Sequence, residues 1–237
     1  MRTRIIVLQT SDISRSMGAK CIARAKEFGI DAEIFEGIHG ADAHAILTDL
    51  RLRQYKPKMK GGRLGVLGCF LSHYFLWQEC YKKQEPMMIL EHDAYMLRPL
   101  PKKILKRFPD VLKLDSLDPY RDTYSTELKK QSQELRIWSL HERKEHGKYQ
   151  HYRGLYSIGG YGYIIKPHAA LEILTQCRMF GFRPADHMIH TTKKIDVHHI
   201  SPSVVRIHED YTNHEAMKSM SLTRNLEKNS LRTKNLG

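Results

Sequence analysis

Two carboxylates flank a histidine at Glu91-His92-Asp93, directly after the four apolar residues Met87-Met88-Ile89-Leu90. Paired carboxylates are hard oxygen donors of the kind that hold a divalent cation, and the cation can in turn hold phosphates. An unbroken apolar run of this length reads as a strand buried on both faces. Charges at its end cannot enter the core unpaired without a large desolvation cost. Placed at the carboxyl edge of an α/β sheet, they stand where such folds bind ligands. A strand that simply ends in a solvated acidic turn fits the same residues.

More distant residues could join them. Asp186 lies in Arg183-Pro184-Ala185-Asp186-His187, and His208 follows the apolar pair Val204-Val205 by three residues. Two carboxylates and an imidazole suit Mn²⁺ or Mg²⁺ better than copper or a thiolate metal, and a third carboxylate is left over to act as a base. Each also has a plainer use, Asp186 as a helix N-cap and His208 as a strand-end histidine facing water. His198-His199, with His187 and His190 nearby, lack the cysteine pair or H-E-x-x-H spacing of a zinc site. Gly159-Gly160-Tyr161-Gly162 neither closes a first βα turn nor opens a helix, so it is not a dinucleotide fingerprint.

Such residues must be carried by regular elements. Arg4–Gln9 predicts a first buried strand, with Thr10 or Ser11 capping a helix that turns Ile13, Met17, Cys21, Ile22, Ala25 and Phe28 inward and stops at Gly29. Ala32–Ile38 returns as a second strand, which completes a β-α-β opening. A short helix near 42–53, a basic loop over 54–63 and a helix over 67–82 lead into the strand that ends at Glu91. Beyond it come a short basic helix, a strand around Val111–Leu114, and a polar insertion over 115–153 with one strand at Leu135–Leu140. Strand character resumes over Tyr156–Ile165. Pro167 opens a helix to about Cys177, and Val197–Ile207 is a last strand region broken by Pro202. The expectation is one domain over 1–213 followed by a basic tail, 214–237.

Composition adds a partner class. Thirty-nine Lys and Arg against 26 Asp and Glu give a formal charge of +13. Basic residues gather at Arg51, Arg53, Lys56, Lys58, Lys60 and Arg63, and again at Lys102, Lys103, Lys106 and Arg107. Such a surface attracts polyanions: nucleic acid, anionic lipid headgroups or a phosphorylated substrate. No apolar run approaches the ~18 residues of a membrane span. Four cysteines without a C-x-x-C pair, and no signal-peptide pattern over residues 1–10, lead to the expectation of reduced thiols in a cytoplasmic protein.

The chain also carries a recognisable pattern. Gly65-Val66-Leu67-Gly68-Cys69-Phe70-Leu71-Ser72-His73, then Trp77, then Ile89-Leu90-Glu91-His92-Asp93-Ala94 resembles glycosyltransferase family 25, whose pattern reads approximately G-E-I-G-C-x-L-S-H-x-x-x-W followed by a strand ending L-E-D-D. The resemblance continues through Gly160–Ile165, Pro184-Ala185-Asp186 and Pro202–Val205. It implies a GT-A type nucleotide-sugar-binding α/β sandwich, with a mixed, mostly parallel sheet flanked by helices. It further implies an inverting, metal-dependent hexosyltransferase in which Mn²⁺ or Mg²⁺ bridges the diphosphate of a nucleotide-diphosphate sugar. On this resemblance Glu91, Asp93 and His208 take the metal positions and Asp186 is the general base. Ser72 and His73 line the donor side, while Thr10, Ser11 and Arg15 follow the first strand where the nucleotide lies. His92 replaces the family's middle aspartate and is expected on the phosphate or ribose. The acceptor expected is a membrane-associated surface saccharide; a hydroxylated base in DNA is the alternative, and a catalytically inactive DNA- or glycan-binding protein is the non-enzyme one.

Overall fold

The computed structural model describes residues 1–55, 64–115, 134–139 and 161–207. In chain order, β1 (Arg2–Val7) leads to α1 (Asp12–Glu27), β2 (Glu33–Glu36), a 3₁₀ turn at Gly40–Asp42 and α2 (Ala43–Asp49). Next come α3 (Leu64–Lys83), β3 (Met87–Glu91), β4 (Ala94–Met96), β5 (Val111–Lys113) and β6 (Arg136–Ser139). The described part closes with β7 (Gly162–Ile165), α4 (Pro167–Phe180), α5 (Ala185–Thr191), β8 (Val197–Ser201) and β9 (Val205–Ile207).

Among the described residues seven strands form one sheet in the order β2-β1-β3-β7-β5-β8-β6, and β4 pairs with β9 beside it. β2, β1, β3, β5 and β8 run one way; β7 and β6 run against them. The expected mixed, mostly parallel sheet flanked by helices is therefore what the chain builds. β3 is its centre. Met87, Met88, Ile89 and Leu90 are all fully buried because α-helices cover one face and α1 with the β4–β9 ribbon covers the other. Alternation divides the run. Met87 and Ile89 pack toward Phe70, Trp77 and Ile173 of α3 and α4, whereas Met88 and Leu90 pack toward Cys21, Ala94 and Val205.

Several boundaries differ from expectation by a residue or two, and one face differs in kind. Ile13 is 41% exposed, and Ser14 takes the inward position at the start of α1. The reason is capping: Ser11 Oγ accepts from Ser14 N–H, and Ser14 Oγ accepts from Leu8 N–H at 2.8 Å, so this turn faces β1 with its hydroxyls. The strand expected at 135–140 is present as β6, an edge strand antiparallel to β8. His208, the tail 214–237, most of the 115–153 insertion and Lys56, Lys58, Lys60 and Arg63 lie outside the described residues.

Candidate active site

The five co-directional strands leave one carboxyl edge. Glu91 closes β3 there, Asp115 follows β5, residues 8–11 follow β1, and antiparallel β7 enters the same edge through Tyr161. Glu91 is tied down by its backbone, whose N–H donates to Tyr161 O at 2.9 Å. Its side chain is also held: Oε1 lies 3.3 Å from His73 Nε2, an imidazole from the middle of α3 with no exposed surface. The other ring nitrogen, Nδ1, is 2.8 Å from Tyr163 Oη, which also receives Trp77 Nε1–H at 2.8 Å.

The charges converge as well. Burial pushes the Cys69 thiol well above its ordinary range, and the charges of Glu91, Asp186 and Asp93 all add to the shift. Asp93 is pushed up to about 6 by burial and then by the charge of Glu91, with His92 pulling the other way. Its Oδ1 is buried and has no hydrogen-bond partner among the described residues. For Glu91 burial opposes ionisation, yet the His73 hydrogen bond and the nearby His92 and Lys113 hold it below the usual carboxylate range. A buried oxygen with unused lone pairs beside an ionised carboxylate is the donor chemistry a hard divalent cation takes, so Glu91 and Asp93 fit such an ion. Cys69 Sγ, a His73 nitrogen and a Glu91 oxygen also lie within 4.8 Å of one another.

The remaining predicted residues fall in different settings. Asp186 sits inside the first turn of α5, not at its cap, and its Oδ1 accepts from His187 N–H at 2.9 Å. His92 and Asp93 line a cavity of about 280 Å³ against Lys20, Cys21 and Arg24 of α1. Thr10 is exposed, Ser11 caps α1, and Arg15 spends its guanidinium on Gln9 O and Asp12, all at the carboxyl end of β1. Ser72 is buried within α3's contact to the 38–40 turn.

One group was not anticipated. Lys113 and Asp115 are both buried, with Nζ 3.6 Å from Oδ1, and Lys113 lies over the Tyr161 ring at 5.8 Å. Burial raises the Asp115 carboxyl against the pull of Lys113, Tyr161 and Arg206. The signal was a lone lysine inside the apolar run Val111-Leu112-Lys113-Leu114, followed at once by an aspartate.

The model of glycosyltransferase family 25 (LPS biosynthesis protein) matches residues 3–189, which takes in α3, β3 with its acidic end, and every strand of the sheet but β8. The chain belongs to glycosyltransferase family 25. A curated relative, a glycosyltransferase 25 family member of Aedes aegypti, is 33% identical over 78 residues, 28% of this chain; the match spans 12% of that relative's own length. Among solved structures, mouse xyloside xylosyltransferase 1 in its apo form aligns with a TM-score of 0.37 at 8% identity, over 80% of each chain. In this family 25 chain the G-C-x-L-S-H block divides its labour along one helix. Gly68 and Ser72 press α3 onto Ile38 and Gly40, while Cys69 and His73 face Glu91. Among the described residues no helix is long and apolar enough to cross a membrane.

Proposed function

We propose that this chain is a metal-dependent, inverting hexosyltransferase that moves a hexose from a nucleotide-diphosphate sugar to a hydroxyl of a surface saccharide, working in the cytoplasm at the membrane face. The observation that carries the reading is Asp93 Oδ1, buried and without a partner among the described residues, beside the ionised Glu91 at the carboxyl edge of a family 25 sheet. Glu91 and Asp93 would hold Mn²⁺ or Mg²⁺, which supplies Lewis-acid stabilisation of the departing diphosphate. His208 is the third candidate ligand. Ile207, the residue before it, pairs with Ala94, the residue after Asp93.

The chain's own residues supply the rest. Thr10, Ser11 and Arg15 at the end of β1 face the nucleotide, and Ser72, His73 and His92 border the donor. Asp186 accepts the acceptor hydroxyl's proton as that oxygen bonds to the anomeric carbon. The bond from that carbon to the diphosphate oxygen breaks on the opposite side, and the nucleoside diphosphate leaves with the electron pair. The basic surface favours an anionic, membrane-borne acceptor.

A thermal-shift screen of nucleotide-diphosphate sugars with and without Mn²⁺ tests this. One donor at a hundredfold excess over its Kd should raise Tm by ~5–10 °C in the presence of the ion and by much less with chelator. No shift with any donor, or a shift indifferent to Mn²⁺, would overturn the reading.

A further inference from the structure

Trp77, Tyr163, His73 and Glu91 form a chain of hydrogen-bonded side chains in which the roles of the two His73 nitrogens depend on its tautomer. The indole Nε1–H of Trp77 can only donate, and it points at Tyr163 Oη, 2.8 Å away. Tyr163 is fully buried, and burial holds its phenol protonated, so that single proton needs an acceptor. Among the described residues the acceptor within reach is His73 Nδ1, at 2.8 Å. An imidazole whose Nδ1 accepts carries its hydrogen on Nε2, and Nε2 faces Glu91 Oε1 at 3.3 Å. Reversing the order would leave the phenol proton unpaired in the core, and an unsatisfied buried donor is costly.

We infer that His73 is a positioning residue: locked by Tyr163 and Trp77, it donates from Nε2 to Glu91 Oε1 and so orients this carboxylate at the sheet edge. The inference rests on the proposed role of Glu91 as a ligand to the donor's metal. Among the described residues Glu91 Oε2 makes no hydrogen bond, so the oxygen left for an ion is fixed by the one His73 has taken. The same bookkeeping disposes of the neighbouring thiol as a rival metal centre. Cys69, His73 and Glu91 have a composition that zinc accepts. His73, however, has no lone pair to give, because Nε2 bears the hydrogen and Nδ1 holds the phenol.

The four residues come from three elements. His73 and Trp77 stand four apart on α3, Tyr163 is in the middle of β7, and Glu91 ends β3. His73 and Tyr163 also stack, their ring centroids 5.7 Å apart. The relay therefore ties the helix bearing the G-C-x-L-S-H block to the strand bearing the acidic motif.

Two measurements on the full chain decide it. In metal-free protein, long-range ¹H–¹⁵N correlation spectra should show His73 with hydrogen on Nε2 and an unprotonated Nδ1; hydrogen on Nδ1 would overturn the relay. Mn²⁺ binding is then followed by electron paramagnetic resonance of the free ion. Tyr163→Phe, nearly isosteric, and His73→Leu should each weaken Mn²⁺ binding roughly 10–100-fold, as loss of an outer partner of a metal ligand does. His73→Gln, which keeps one donor and one acceptor, should recover most of the affinity. Circular dichroism identifies any variant that has not folded. Folded Tyr163→Phe with wild-type Mn²⁺ affinity would overturn the positioning role. A wild-type chain that binds no Mn²⁺ would instead count against the metal reading, and the tautomer would still decide the relay.

Discussion

Gly68 of α3 lies so close to the carbonyl of Ile38 that a Cβ built on it would stand 2.5 Å from that oxygen and 3.1 Å from Gly40 N. Both neighbours are backbone, so neither gives way cheaply. The contact sets how near α3 comes to the sheet edge, and hence where Cys69 and His73 stand. Gly68→Ala should destabilise the protein by about 1–3 kcal/mol through overpacking. The check is a urea midpoint that falls with an unchanged m-value; an unchanged midpoint would mean α3 is not pinned at Ile38.

Ser72 completes the same joint. Its Oγ donates to Gly68 O at 2.8 Å and accepts from Ile38 N–H at 2.9 Å, with the side chain buried. Ser72→Ala leaves the Ile38 amide without its partner and should cost about 1–3 kcal/mol. Calorimetry measures that loss, and the KM for donor separates the two roles assigned to Ser72. A raised KM in folded protein favours contact with the donor, whereas an unchanged one restricts the residue to the joint.

Much of this arrangement was legible in the residues themselves. Met87–Leu90 read as a strand covered on both faces, with Glu91 and Asp93 ending it either at a ligand-binding sheet edge or in a solvated acidic turn. The family resemblance led us to expect Asp186 at this edge, and its charge adds to the upward shift of the Cys69 thiol. The relay was not legible. His73 and Trp77 show helical spacing, but the partner that joins them, Tyr163, is 86 residues beyond Trp77 and is delivered by an antiparallel strand. Ile13 misled for a local reason, since an apolar pattern carries no information about a capping serine that turns the first helical turn toward β1. Lys113 was passed over because apolar neighbours on both sides read as strand, and periodicity says nothing about what neutralises a buried charge.

Cys21, Cys80 and Cys177 are each pushed up to about 12, first of all by burial. At pH 8 their thiolate fraction is then ~10⁻⁴, against roughly a quarter for a free cysteine, so alkylation should run on the order of 10³-fold slower than in the unfolded chain. Raising the pH by one unit should speed native labelling about tenfold. Mass spectrometry after a timed iodoacetamide pulse checks both. Rapid labelling of these three in folded protein at pH 8 would contradict their burial.

Asp186→Asn keeps the shape of the side chain, and its Oδ1 can still accept from His187 N–H, so the first turn of α5 should survive. Loss of the proton acceptor should lower kcat by about 10²–10⁴ while the KM for donor stays close to wild type. A large rise in donor KM with little change in kcat would make Asp186 a donor-site residue instead of the base.

The central claim is that the acidic end of β3 holds the donor through a divalent ion, and Asp93 carries most of it because its Oδ1 is buried with no partner among the described residues. Isothermal titration of the nucleotide-diphosphate sugar into wild type and Asp93→Asn, each with Mn²⁺ and with chelator, tests it most directly. Wild type should bind the donor at least about tenfold more tightly with Mn²⁺ than without, and Asp93→Asn should bind it equally weakly in both conditions. An Asp93→Asn protein that keeps the wild-type gain from Mn²⁺ would contradict the account.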